Sequence, residues 1–452
     1  MPELTTETEH KHLVIGAGPV GLAMAKALKD KGIPYDHVDA AAALGGNWHH
    51  GVYATAHIIS SRKTTEFADY PMPADYPDFP SADQMAAYLT DYARTFDLER
   101  NIRFGAKVIF LRPVAGNRWE ATLEGGETLT YKGAIVCNGH HWDRRWPDYP
   151  GRFAGEFIHS KDYKDPEQLR GRRVLVIGGG NSACDVASEA GRLAAKAHLS
   201  TRRGYWILPK TMFGRPTAEL SLLRYLPETA QRLALRGLLK VVIGRYEDYG
   251  LPHPDHRIFE RHPTVNSELL HYLKHGRVTP KPDVDRFDGS TVHFVDGSSD
   301  DYDLVVCATG FHVSYPFLPE GLVDIKGAVP QVYGGAMLPG YRNLYLFGWA
   351  QPRYGFGPLV TPAASLLADM IELQDSCANG LGDLMQAAGQ RPPETHLMNP
   401  IRTLRLIRRG KRRLPLIKHL DRRLTKRRAA EDNAVIEPPA DLLTRNAALQ
   451  VN

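Results

Sequence analysis

Two stretches of the chain repeat one pattern of apolar and polar positions. HLVIGAGPVGLAMAKALKDKGIPYDHVDA spans residues 12–40, and RVLVIGGGNSACDVASEAGRLAAKAHLSTRR spans residues 173–203. Each opens with a short aliphatic run rich in β-branched residues and passes through a glycine cluster. Each then continues as an Ala-rich segment with helical spacing and ends in a second short strand-like run. The switch from a continuous apolar run to a helical period predicts strand, turn, helix, strand, a βαβ unit written twice. The predicted fold class is α/β, with two dinucleotide-binding, Rossmann-like domains.

The glycines stand where such units need them. Gly16 and Gly178 are placed to turn strand into helix, and Gly18 and Gly180 to let the backbone approach a pyrophosphate. Gly21 and Ala183 are placed for close helix–strand packing. The helix start, with Asn181 and Ser182 in the second unit, offers unpaired N–H groups and the positive end of a dipole to phosphates. One such cluster is a common feature of α/β proteins; two, each heading a full unit, are more specific.

The end of the second strand distinguishes the two units. Asp39 lies 23 residues after Gly16, where a carboxylate accepts hydrogen bonds from ribose hydroxyls and repels a 2′-phosphate. Thr201 lies 23 residues after Gly178 and is followed by Arg202 and Arg203, whose guanidinium groups suit a phosphate. We therefore expect FAD in the first unit and NADPH in the second. The alternative for Arg202 and Arg203 is a solvated surface pair, and the phosphate role needs only one of them.

Length and composition set the frame for these units. A chain of 452 residues, 43% hydrophobic, is too long for one typical domain and ample for two cores. Its four cysteines include no C-x-x-C pair, so neither a zinc ribbon nor a thioredoxin-like redox pair is signalled, and no metal is expected. The polar start MPELTTETEHKH is unlike a signal peptide, and no apolar run is long enough to span a membrane. A cytoplasmic location is the expectation.

Charge singles out the C-terminal region. Residues 401–428 hold thirteen Lys or Arg and one acid, Asp421, a net +12 that leaves −7 for the rest of a chain of formal charge +5. Ile401, Leu404, Leu406, Ile407, Leu414, Leu416, Ile417, Leu420 and Leu424 make this tail loosely amphipathic. Peripheral contact with an anionic membrane, packing on a second subunit and packing on the acidic body are all compatible with it, and the charge complementarity favours the body. No nucleic-acid partner is expected, because no recognised fold or interleaved aromatic pattern accompanies the charge.

Several further strings, spread over roughly residues 10–370, resemble the flavin-containing monooxygenase family. FAGEFIHSKDY fits that family's F-x-G-x-x-x-H-x-x-x-(Y/F) signature through Phe153, Gly155, His159 and Tyr163, and the following Lys164-Asp165 resembles its type II branch. LGGNW, with Gly46, Asn47 and Trp48, resembles the family's loop over the flavin; VCATGF, with Thr309 and Gly310, resembles its return into the FAD lobe. STRRGYW resembles the stretch that discriminates for NADPH, and QPRYGFGPLVTP stands where the family closes the site. The resemblance implies an NADPH domain inserted into a discontinuous FAD domain. The expected limits are 1–165 and 305–380 for FAD and 166–304 for NADPH, with a basic extension at 381–452.

It also implies an activity. NADPH reduces the flavin, the reduced flavin forms a peroxide adduct with O2, and one oxygen atom passes to a small organic substrate: a sulfide, an amine, or a ketone by Baeyer–Villiger oxidation. Members that oxygenate N and S carry an Asn where this chain has Ile59, and the nearest polar side chains are His57, Ser60 and Ser61. His57, with Ser60 beside it, is the candidate for tuning the adduct; the other reading of His57 is an ordinary loop histidine. His159 is expected to act as a hinge and scaffold residue. The stretch from Phe213 to Pro263, with the helix-like run LSLLRYLPETAQRLALRGLLKVVIG, reads as an insertion that covers the entrance, forms an interface, or is plain core. Two alternatives remain: an NAD(P)H-dependent flavin reductase or oxidase without oxygen transfer, and a non-catalytic nucleotide-binding protein. A homo-oligomer is compatible with the sequence.

Overall fold

The structure, a computed structural model, describes residues 8–220 and 226–436, and side chains up to residue 427. Part of the run LSLLRYLPETAQ therefore lies outside the described residues. Ten strands build two parallel sheets: β1 (His12–Ile15), β2 (Tyr35–Val38), β3 (Ile102–Arg103), β4 (Gly133–Val136), β5 (Glu156–His159), β6 (Arg173–Ile177), β7 (Lys196–Ser200), β8 (Thr279–Lys281), β9 (Leu304–Cys307) and β10 (Leu344–Leu346). The first sheet has the order β10-β4-β1-β2-β3, and the second β5-β9-β6-β7-β8. The helices that matter here are α1 (Pro19–Asp30), α2 (Ala82–Thr95), α3 (Asn181–Leu193), α4 (Glu228–Val242), α5 (Gly357–Gln374), α6 (Leu381–Ala387) and α7 (Pro400–Ile436).

Both sheets are covered on both faces, which is why their central strands are continuous apolar runs rather than alternating ones. Successive side chains still point to opposite faces. Val14 of β1 packs with Leu22, Leu28, Met85 and Ile371 under α1, α2 and α5. Leu13 and Ile15 pack on the other face with Leu111 and Trp119 of an antiparallel meander. In β6, Val174 and Val176 meet Ala183 and Val186 of α3, while Leu175 and Ile177 meet Phe287 and Phe294.

All strands of the second sheet fall between β4 and β10 of the first, so the second lobe is an insertion. Its sheet is wider than the expected limits of 166–304. β5 and β9, assigned by those limits wholly or largely to the first lobe, pair with each other from Glu156↔Leu304 to His159↔Cys307. The expected extension at 381–452 likewise does not begin at 381, because Leu381 and Leu384 of α6 belong to the first lobe's core; residues 437–452 lie outside the described residues.

The basic tail forms α7. One stripe of it faces inward: Leu414, Ile417 and Leu424 pack on the first lobe's core. Asp421 caps the chain after α5, accepting from the N–H groups of Ala378 (3.0 Å) and Asn379 (2.9 Å). Lys411 lies 3.5 Å from Asp369. Arg402, Arg405, Arg409, Arg412 and Arg423 face outward and are exposed. Among the described residues no helix is long and apolar enough to cross a membrane.

Candidate functional site

A cleft of about 1270 Å³ opens outside the C-terminal ends of β1 and β2 and extends to the start of α3. This is where open α/β sheets bind ligands, because the chain runs in opposite directions away from the central strand and the loops part there. From the first lobe its wall includes Gly16, Gly18, Asp39, Gly46, Asn47 and Trp48, with His57 and Ser60 nearby. From the second lobe it includes Gly180, Asn181 and Ser182, and from the connection between lobes Gly310.

The two glycine turns have the same geometry. Gly16 has φ +105° and Gly178 φ +137°, a conformation that L side chains rarely adopt. A Cβ at Gly16 would lie 2.6 Å from the Cys137 carbonyl oxygen, and one at Gly178 would lie 2.4 Å from that of Ala308. At Gly180 no atom lies within 4 Å of a built Cβ, and at Gly18 only the Gly46 Cα does, at 3.9 Å. These positions leave room for a bulky group to touch the backbone. Gly21 is closed by its own turn, 1.8 Å from the Gly16 carbonyl, and packs α1 on β1. Ala183 is buried in the equivalent place on α3.

The strand ends differ. Asp39 receives N–H bonds from Ala17 (2.5 Å) and Ala41 (2.7 Å), which hold its carboxylate at the rim of the cleft. Thr201 is buried, and its N–H donates to the Lys281 carbonyl (3.2 Å). Arg202 is exposed, and Arg203 lies with its Cζ 5.5 Å from the Tyr205 ring centroid and its Nε without a partner. Thr201, Arg203 and Gly179 line a separate small hollow beside Tyr205. Asn181 is engaged structurally, its Oδ1 accepting from the Val265 N–H (2.7 Å).

The signature residues sit at the junction of the lobes rather than in the cleft wall. Phe153 packs in the second lobe's core, and a Cβ at Gly155 would meet its ring at 2.7 Å and the Asp303 carbonyl at 2.8 Å. His159 ends β5 and is buried. Its Nδ1 accepts from the Lys161 N–H (3.1 Å), so Nε2 carries the proton and donates to the Gly310 carbonyl (3.0 Å). Burial lowers its pKa, favouring this neutral form. Thr309 turns away from the cleft, donating to the Arg145 carbonyl. Tyr163 is buried and donates to Glu189 of α3, whose other oxygen accepts from the Thr55 hydroxyl. Burial raises the Glu189 pKa. One turn earlier on α3, Asp185 accepts from Tyr53 (2.7 Å) and Asn266 (2.8 Å).

Those contacts hold the segment that carries His57. Its Nδ1 donates to the Thr55 carbonyl (3.1 Å), and its Nε2 is in close contact with Lys210 Nζ from the second lobe. Ser60 Oγ pairs with Thr65 (2.6 Å). On the opposite wall, Lys161 donates to Asn47 Oδ1 (2.6 Å) and to the His141 carbonyl (3.3 Å). Burial, followed by the nearby Lys164 charge, lowers its pKa to about 8.

Sequence reasoning did not single out Lys161, Asp185, Glu189 or Arg353, a further residue of the wall. A signal existed for two of them: Lys161 lies within the signature, and Arg353 is a lone charge in a loop of glycine and aromatic residues. Asp185 and Glu189 are one turn apart on one helix face, a pattern common to solvated helices.

The cleft fits two dinucleotides: it has two open glycine turns at helix starts, an acidic strand end at Asp39, and a volume beyond that of a pocket for one small ligand, while the basic strand end lies outside its wall, at the separate hollow beside Tyr205. A family model described as flavin-binding monooxygenase-like matches residues 9–348. Human flavin-containing monooxygenase 5 is 33% identical over 382 residues, 78% of this chain and 71% of its own length. Rat dimethylaniline monooxygenase (N-oxide-forming) 2 is 31% identical over 381 residues, 77% of this chain and 71% of its own. Among solved structures, the flavin-containing monooxygenase from Stenotrophomonas maltophilia shares the fold with a TM-score of 0.62 at 23% identity, over 81% of this chain and 98% of that one.

Proposed function

The chain belongs to the flavin-binding monooxygenase-like family, and from that premise we propose that it is an FAD-containing, NADPH-consuming monooxygenase that inserts one oxygen atom from O2 into a small organic substrate. The observation that carries this reading is the convergence of two glycine turns, Gly16–Gly18 with Asp39 from one lobe and Gly180–Ser182 from the other, on one cleft. Gly18, Asp39 and the loop Gly46–Trp48 would hold FAD, with Asp39 on the ribose. Gly180, Ser182 and the Thr201–Arg203 stretch would hold NADPH, with guanidinium on the 2′-phosphate. FAD held there would supply the redox chemistry, hydride acceptance from NADPH and activation of O2.

The protein's own contribution is orientation, charge and the exclusion of water. Trp48, Phe259, Phe356, Leu359 and Val360 make much of the wall apolar. His57 offers no free proton, since Nδ1–H serves Thr55 and Nε2 accepts from Lys210. Its assigned role is to hold the Lys210 ammonium at the lobe junction, where positive charge favours a developing anion. Ser60 supports that segment through Thr65. His159, through Gly310, and Tyr163, through Glu189, brace the second lobe, and the other oxygen of Glu189 takes the Thr55 hydroxyl of the His57 segment. Four buried, unpaired thiols fit a reducing cytoplasm.

The test is NADPH oxidation by the purified yellow protein with a sulfide, a tertiary amine and a cyclic ketone, with hydrogen peroxide release followed in parallel. The reading predicts faster NADPH use with at least one substrate and an oxygenated product matching it. Consumption of NADPH that yields only peroxide, or that requires an added quinone or disulfide, would contradict it.

A further inference from the structure

One buried cation of the cleft wall belongs to neither glycine turn. Arg353 lies in a loop pinned by N–H bonds from Gln351 to the His396 carbonyl (2.7 Å) and from Arg353 to that of Met398 (3.1 Å). Its side chain is 6% exposed, and the residue lines the cleft. The guanidinium lies over Phe259, 4.7 Å from the ring centroid. Its Nη2 donates to Glu228 Oε1 at 3.0 Å, and the same oxygen accepts from Arg232 at 2.6 Å.

Two guanidinium groups thus share one carboxylate, an excess of one positive charge at the wall. Nε and Nη1 of Arg353 and Nε of Arg232 are buried without any partner. Buried guanidinium donors left unpaired cost desolvation energy, and an anionic ligand relieves it. A carboxylate is the best match, because its two oxygens fit the planar fork and its charge balances the excess. Nearby, Phe356, Leu359 and Val360 offer an apolar surface.

We propose that the substrate is a small organic acid whose carboxylate is held by Arg353 and whose apolar body carries the oxidisable group along the Phe356–Val360 wall. This rests on the monooxygenase reading of the cleft. Glu228 competes with the substrate for the guanidinium and keeps the residue from being a bare buried charge before binding.

The experiment compares para-(methylsulfanyl)benzoate with its methyl ester on the FAD-loaded full chain, measuring sulfoxide formed at saturating NADPH. The two share the reacting sulfur and differ in the anion. We expect kcat/KM to favour the acid by about tenfold or more, the worth of a charge-assisted hydrogen bond. In Arg353→Met that ratio falls to near one, chiefly through KM; in Glu228→Gln the KM for the acid falls. Equal or better use of the ester by the wild type, or a ratio that survives Arg353→Met, would overturn the proposal. So would a weaker affinity for NADPH in Arg353→Met with the ratio intact, since the anion would then be the cofactor's. If Arg353→Met does not fold, Glu228→Gln decides, and an unchanged or higher KM for the acid overturns the proposal. If neither probe yields sulfoxide, the amine and ketone assays decide the monooxygenase reading, and calorimetric titration of the acid into wild type and Glu228→Gln decides the anchor. Tighter binding in the variant supports it; no binding, or binding unchanged by the variant, overturns it.

Discussion

The two lobes build the same turn from the same residue types and then part at a single step. β1, Gly16 and α1 in one lobe correspond to β6, Gly178 and α3 in the other, with both glycines at positive φ and both of their would-be Cβ atoms against a carbonyl. One strand later the first lobe presents Asp39, and the second presents Thr201, Arg202 and Arg203. The shared part is backbone geometry, which recognises a pyrophosphate of any dinucleotide. The divergent part is side-chain charge, which under the proposed function selects between nucleotides. A lobe's ligand would then be decided by a few atoms on a common frame.

The comparison breaks most severely at the turns. Gly16→Val places a side chain against the Cys137 carbonyl in a conformation costing about 1–3 kcal/mol before any clash is counted. Colourless protein without FAD is expected, seen in the absorbance spectrum. Gly178→Val should instead retain the yellow colour and lose NADPH binding. If both variants lose the same cofactor, the lobes do not divide the work as described.

Next in size is the basic strand end. Arg202→Ala with Arg203→Ala should raise the KM for NADPH on the order of a hundredfold, as expected for losing charge-assisted hydrogen bonds to phosphate, and should move the KM for NADH much less. Steady-state kinetics with both nucleotides measures the ratio. Asp39→Asn is the smaller counterpart. The amide keeps one acceptor and loses the charge, so FAD should dissociate about tenfold more easily, with the preference for NADPH untouched. Equilibrium dialysis of FAD checks it.

The smallest expected effect concerns acid stability. His12 of β1 has no partner at either ring nitrogen, and burial lowers its pKa to about 4. His198 of β7, bonded to Tyr302 at 2.7 Å, is also lowered by burial to about 4. Between the ordinary histidine value of 6.5 and about 4, the unfolded chain binds protons that the native chain does not, so stability falls as pH drops through that window. His12→Leu should flatten the acid limb of the melting-temperature profile and raise it; an unchanged profile would remove His12 from the account.

The two βαβ units were legible because their information is local: strand, turn and helix are contiguous, and the residue that selects the nucleotide follows at a fixed spacing. The membership of β5 was not legible, because Glu156–His159 is short and its partner Leu304–Cys307 lies far along the chain. Distance in sequence also hid what the signature does. His159 bonds Gly310 and Tyr163 bonds Glu189, so the motif joins segments that only folding brings together. Arg353 and Lys161 read as ordinary charges until burial removed their solvent. His57 lies in the cleft as a loop histidine would, and its partner Lys210 could not be read from spacing.

The central claim is that both lobes serve one oxygen insertion. The most direct measurement is product mass after turnover under 18O2 with NADPH and a sulfide. The account predicts a sulfoxide carrying one 18O atom, with NADPH consumed in a one-to-one ratio to product. Oxidation of NADPH with no 18O in any organic product would contradict it.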